Sequence, residues 1–211
     1  MNMADATGEG YPLVLQSGAD PSTLGGVAVC GLTTVGSVGV IAASHLIASL
    51  GLKPMGTVLH PEFPAVALIQ ESVPKHPVRV YQGEEMGVFI SEIQFPQASD
   101  FQFGNTVLEW FQKGGFDKLV IIDGLVSEDL GLKEDGDIWG VASLQSGRDA
   151  LDTVDIQRIQ QGIVTGVSGF LLAEGERQGL DITVLLAECN PVYPDARAAL
   201  IAVESLCDLM D

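Results

Sequence analysis

Gly31, Gly36 and Gly39 punctuate the stretch GLTTVGSVGVIAASHLIASLG (31–51), which follows the apolar run VAVC. Glycines at a strand-to-helix turn let backbone N–H groups approach an anion at the positive end of a helix. Two phosphate motifs can be checked letter by letter. A dinucleotide site needs Gly-x-Gly-x-x-Gly with an acid about 20 residues later; here the close first glycine pair is missing. A P-loop needs Gly, four residues, Gly, Lys and Ser or Thr. GLTTVGSV fits through its sixth position, but Ser37 stands where the lysine belongs. A small-anion site at the N–H groups of Gly36, Ser37 and Val38 is what remains of the functional reading. The architectural reading is preferred: Gly36 permits a tight turn and Gly39 allows the helix close contact with a sheet.

Other chemistry would gather at strand ends, because open α/β sheets bind ligands outside the carboxyl ends of their strands. Those ends offer Thr33, Thr34, His60, Glu62, Asp123, Glu188 and Asn190, with Asp195 opening the last helix. If Glu62, Asp123 and Glu188 converged, they would form an oxygen-ligand metal site or an acid/base pair. Strand-end carboxylates more often cap helices or anchor loops. The nucleophile elbow Gly-x-Ser-x-Gly is absent; GSVG and GVSG have the wrong spacing. His45 lies on the apolar side of the first helix, a core or interface position, and His76 sits in a turn. Cys30, Cys189 and Cys207 show no CxxC and no zinc spacing, and read as buried reduced thiols of a cytoplasmic protein. No catalytic residue, cofactor or metal ligand is assigned.

The elements that must position these groups follow from periodicity. VAVCGL (27–32) is a buried strand, and Val38, Ile41, Ala42, His45, Leu46 and Ser49 repeat at helical spacing until Gly51. Runs 55–60, 65–70, 78–82 and 86–93 predict strands joined by short links, hence hairpins at one side of a sheet. Residues 99–113 predict a helix with Phe103, Val107, Trp110 and Phe111 inward, and 118–125 a buried strand. A charged loop (128–137), a strand (138–143) and a short helix within 145–161 follow. Residues 162–179 read as a short strand, a glycine turn and a helix closed by Gly179. A core strand (182–189) and a helix from about Pro194 complete the chain, its inner face being Ala196, Ala199, Leu200, Val203, Leu206, Cys207 and Met210. The expectation is a flexible segment at 1–10 and one α/β domain at 11–211, with a mostly parallel mixed sheet covered on both faces.

Charge narrows the partners. The 211 residues carry 28 acidic and only 10 basic side chains, a net charge of −18. Such a field repels phosphate backbones and anionic lipids, which argues against nucleic-acid and membrane partners. Ile93, Phe95 and Phe101, around Pro96, form an apolar patch suited to a subunit contact.

The stretches GLTTVGSVGVIAASHLIASLG, HPEFPAVALIQES, PVRVYQG, LVIIDGL, WGVAS, GIVTGVSGFLLAEGERQGLDITVLLAE and YPDARAA, in this order, resemble the proteasome assembly chaperone family. The likeness is to its archaeal and bacterial members related to the second eukaryotic chaperone. It implies a three-layer α/β/α fold like that of the purine nucleoside phosphorylase and hydrolase group. It also implies homo-oligomers and, in some members, help in assembling proteasome α subunits. Members that dock on the proteasome are expected to end in hydrophobic–tyrosine–any residue. This chain reads Leu209-Met210-Asp211, so docking by the tail is not expected, and another surface is left open for binding. The alternative expectation is a hydrolase or phosphorylase-like enzyme using the Gly36–Val38 anion site.

Overall fold

In KLVIIDGLV (118–126), Leu119 and Ile121 face one way and Val120 and Ile122 the other, and all four are buried. A strand with period-two alternation and no polar side until its end must be covered on both faces. The computed structural model describes residues 10–16, 25–61, 63–94, 97–126 and 136–210. Among them lie strands β1 (Leu13–Leu15), β2 (Val27–Leu32), β3 (Lys53–Val58), β4 (Leu68–Gln70), β5 (Val73–Lys75), β6 (Val78–Gln82), β7 (Met86–Ser91), β8 (Lys118–Val126), β9 (Ile138–Ala142), β10 (Gln157–Arg158) and β11 (Ile182–Cys189). The helices are α1 (Val38–Ser49), α2 (Asp100–Lys113), α3 (Gln145–Thr153), α4 (Gly166–Gln178) and α5 (Ala196–Met210). The expected flexible segment 1–10 lies outside the described residues except for Gly10, as does most of the expected loop 128–137.

The main sheet has the order β1-β3-β6-β7-β2-β8-β11-β9-β10. Its centre, β7-β2-β8-β11, is parallel, and the strands toward each edge run antiparallel except the last pair, β9-β10. The expected three-layer fold is thus present, with the hairpins of the middle segment building one side. α2 and α4 pack together on one face, over Phe89, Leu119, Ile121, Val184 and the α2 residues Phe103, Val107 and Trp110. α1 and α5 pack together on the other, over Val29, Val120, Ile122 and Leu185, with Leu151 of α3 in the same cluster.

Three local expectations are corrected. Residues 65–70 supply only β4, which pairs with β5 in a separate small hairpin outside the main sheet. Residues 162–165 form no strand: the sheet ends at β10 (157–158), paired with β9, and α4 begins at Gly166. The inner face of α5 is not the one its larger residues suggest. Ala198, Ala199, Ala202, Val203 and Leu206 are buried, whereas Leu200, Cys207 and Met210 are exposed. Alanines bring the α5 backbone close to α1 and β11, while Leu200 and Met210 turn outward.

Candidate functional site

Asp123 follows Leu119 and Ile121 on the same side of β8, so strand geometry aims it at the α2/α4 layer. There the layer has not closed, and a cavity of about 690 Å³ opens. Its floor is made by Leu32, Thr33 and Thr34 at the end of β2, residues 123–126 of β8, and Leu186 of β11. Its walls are Ile93 and Gln94 beyond β7, Asp100 at the start of α2, and the segment from Ile159 into the first turn of α4. This is the carboxyl end of the parallel strands, where the fold class favours ligands.

The buried Ser168 hydroxyl donates to Asp123 Oδ2 at 2.7 Å, and the Gly124 N–H donates to Oδ1 at 2.8 Å. The Thr33 hydroxyl donates to the Ser91 carbonyl at 2.9 Å and ties the end of β2 to β7. Thr34 Oγ1 is buried and has no hydrogen-bond partner. Burial raises the pKa of Asp100 above the ordinary 3.8. No Lys, Arg or His is found among the described lining residues.

Of the glycine turn only Val35 is among the described lining residues; Gly36 and Ser37 lie behind the cavity. Val35–Ser37 form a single 3-10 turn ahead of α1, with φ of 61° at Gly36 and 51° at Ser37. The Ser37 N–H bonds the Thr34 carbonyl at 3.0 Å, and the Val38 N–H bonds the Val35 carbonyl. Two of the three N–H groups considered for an anion are therefore engaged within the turn. A Cβ on Gly36 would stand 2.7 Å from Cys189 Sγ, and one on Gly39 2.3 Å from the Ile122 carbonyl oxygen. Both glycines are in tight contact with the end of the sheet.

The remaining candidates disperse. Asp195 caps α5: its carboxylate accepts the N–H groups of Asn190 and Ala198, each at 3.0 Å, and its own N–H donates to the Gly36 carbonyl at 2.8 Å. Burial opposes its ionised form, but these N–H groups and Arg197 more than offset that, so its pKa lies below the ordinary 3.8. Glu188 follows Leu186 on β11 but does not line the cavity, while its carbonyl accepts from Arg197 at 3.3 Å. His60 packs against Tyr11, ring centroids 4.3 Å apart, in an aromatic group with Phe63. Glu62 lies outside the described residues, so its convergence with Asp123 and Glu188 has no geometry to report. His45 is exposed on α1, within 3.2 Å of the Ser49 hydroxyl. Of the expected subunit contact, Ile93 lines the cavity, Phe101 is 48% exposed and packs on Phe170, and Phe95 lies outside the described residues.

Sequence reasoning missed Ser168, the partner of Asp123. It stands 45 residues away, and the sole hint was its place in the glycine turn GVSG. It also missed Arg79, buried on β6, which pairs with Glu92 and bonds the Tyr81 hydroxyl at 3.0 Å and the His76 carbonyl. Among the described residues, no three His, Cys, Asp or Glu side chains converge to hold a metal ion. No helix there is long and apolar enough to cross a membrane.

The family model for the PAC2 family matches residues 28–211. The chain belongs to the PAC2 family. This PAC2 protein is similar to PbaA of Pyrococcus furiosus, described as an archaeal homolog of proteasome-assembly chaperone. The two share 28% identity and a TM-score of 0.86, over 96% of this chain and 82% of that one. PbaB of the same organism, described as an archaeal proteasome activator, shares the fold at a TM-score of 0.78 with 19% identity, over 96% of this chain and 89% of that one. An uncharacterised protein of Methanocaldococcus jannaschii is 25% identical over 171 residues, 81% of this chain and 69% of that protein. The resemblance to proteasome assembly chaperones drawn from the sequence is borne out by these matches.

Proposed function

We propose that this PAC2 protein is a non-enzymatic, self-associating binding protein that assists the assembly of proteasome α subunits. The observation that carries the reading is the set of exposed apolar side chains beyond the carboxyl ends of the parallel strands. Ile163 is 90% exposed, Val192 81%, Tyr193 62%, Val126 53% and Phe101 48%. Single exposed apolar residues are common, but a rim of them at one end of a sheet suits a protein contact. The likeness to PbaA along nearly the whole chain supports the same reading. Self-association belongs to the same proposal, with the exposed Phe101 as a contact residue, and the cytoplasm fits free thiols.

The enzymatic alternative has less support. The turn at Gly36–Val38 uses its Ser37 and Val38 N–H groups internally, and its Gly36 carbonyl accepts from the Asp195 N–H. The test of the binding reading is capture of cognate proteasome α subunits by the immobilised chain. Wild type is expected to retain them, and the double variant Ile163→Asp, Val192→Asp to lose them while keeping its melting temperature. Absence of α subunits from the wild-type eluate would refute the proteasome role.

A further inference from the structure

We propose that the cavity bounded by β8 and the start of α4 binds a small organic cation, a primary amine carried on an apolar body. Its volume of about 690 Å³ falls within the few hundred to about 1,000 Å³ usual for small-molecule sites. This site is independent of the protein-binding reading and stands or falls without it.

The chemistry of the lining selects the ligand. Asp100 and Asp123 are the charged groups among the described lining residues, and both are acidic. Asp123 takes one donor on each oxygen, from Ser168 and Gly124. A carboxylate has about four acceptor positions, so room for further donors remains. Asp100 receives no hydrogen bond and no ion pair from the described residues, and burial already disfavours its charge. Its Oδ2 lies near Gly166 at the start of α4, 3.8 Å from where a Cβ would stand. Thr34 also lines the cavity, and its Oγ1 is buried without a partner. A hydroxyl shut away from water is destabilising until something bonds it.

An ammonium supplies three donors and no acceptor, which matches this set of acceptors. Leu32, Ile93, Leu125, Val167 and Leu186 add apolar surface beside the polar Thr33, Gln94, Gln161 and Thr165. That apolar surface suits a hydrocarbon or aromatic body. An anionic ligand would face two carboxylates with no cation among the described lining residues, inside a protein of net charge −18. That overall field concentrates cations at the surface and disfavours anions.

The test is calorimetric titration of the full chain at 150 mM salt with three probes of similar size: 2-phenylethylamine, 2-phenylethanol and 3-phenylpropionate. The amine is expected to bind one per chain, at least tenfold tighter than the alcohol, with no detectable binding of the acid. Asp123→Asn and Asp100→Asn should each weaken the amine at least fivefold and leave the alcohol unchanged. Amide shifts on amine binding should centre on Thr34 and Ser168. If Asp123→Asn fails to fold, Asp100→Asn and the wild-type comparison carry the test. No saturable binding of the amine, equal affinity for amine and alcohol, tighter binding of the acid, or folded variants with unchanged amine affinity would each overturn the proposal.

Discussion

Gly31 of β2 and Gly39 of α1 meet so closely that a Cβ on Gly31 would lie 2.2 Å from the Gly39 carbonyl oxygen. Gly39 in turn sits where a Cβ would lie 2.3 Å from the Ile122 carbonyl oxygen of β8. The helix therefore rests on the sheet backbone itself. Two glycines of the phosphate-like signature are placed in this contact, and the third, Gly36, fills a left-handed turn against Cys189.

Gly39→Ala forces α1 off β8, and overpacking of this kind costs about 1–3 kcal/mol. A fall in thermal midpoint is expected. Gly31→Ala should act on the same contact, so the double variant should lose less than the sum of the single losses. Additive losses would mean that the two glycines are not coupled.

Asp195→Ala removes a helix cap that accepts two N–H groups, a loss of about 1–2 kcal/mol. Its folded pKa lies below the ordinary 3.8, so its contribution is complete above that value and disappears as pH falls through the lowered folded value. Chemical denaturation at pH 7 should separate wild type from variant, and the gap should narrow below pH 3.8.

The three cysteines should react unequally. Cys207 is exposed, while Cys30 and Cys189 are buried. Burial, then the nearby Asp195 and Asp123 charges, pushes the Cys189 thiol up to about 11. Burial likewise raises that of Cys30, with Asp123 adding to it. A chromogenic disulfide reagent at pH 7.5 should label Cys207 promptly, and the other two only in denaturant. Prompt labelling of Cys30 would mean that β2 is not in the core.

Arg79 and Glu92 form a largely buried pair, with side chains 7% and 19% exposed. Gln70 of β4 also donates to Glu92, at 3.3 Å. Glu92→Ala strands the guanidinium and should cost about 3 kcal/mol, toward the lower end for broken buried pairs because solvent still reaches Glu92. Glu92→Gln, which keeps an acceptor, should cost less. Urea melts of both variants check the order.

Continuous apolar strands and strong helical periods made β2, β7, β8, β11, α1 and α2 legible in the sequence. Gly179 closes α4 as expected, in the left-handed conformation. Short elements were not legible: β1 pairs residue 13 with residue 58 and β10 has two residues, so neither carries a local pattern. The face of α5 was misread because alanine contributes little to hydrophobic periodicity, although it is the residue that permits close packing. Of the expected rim, Thr34 and Asp123 enter the cavity; Asp195 serves as a cap and His60 joins an aromatic cluster. Their separation depends on which side of each strand end faces which helix layer. That depends on long-range pairing, which no local spacing encodes.

Native mass spectrometry of the full chain, alone and mixed with cognate proteasome α subunits, tests the central claim most directly. The account predicts a multimeric mass for the chain alone and a further species containing both chains in the mixture. A monomeric mass under both conditions, with α subunits running separately, would contradict it.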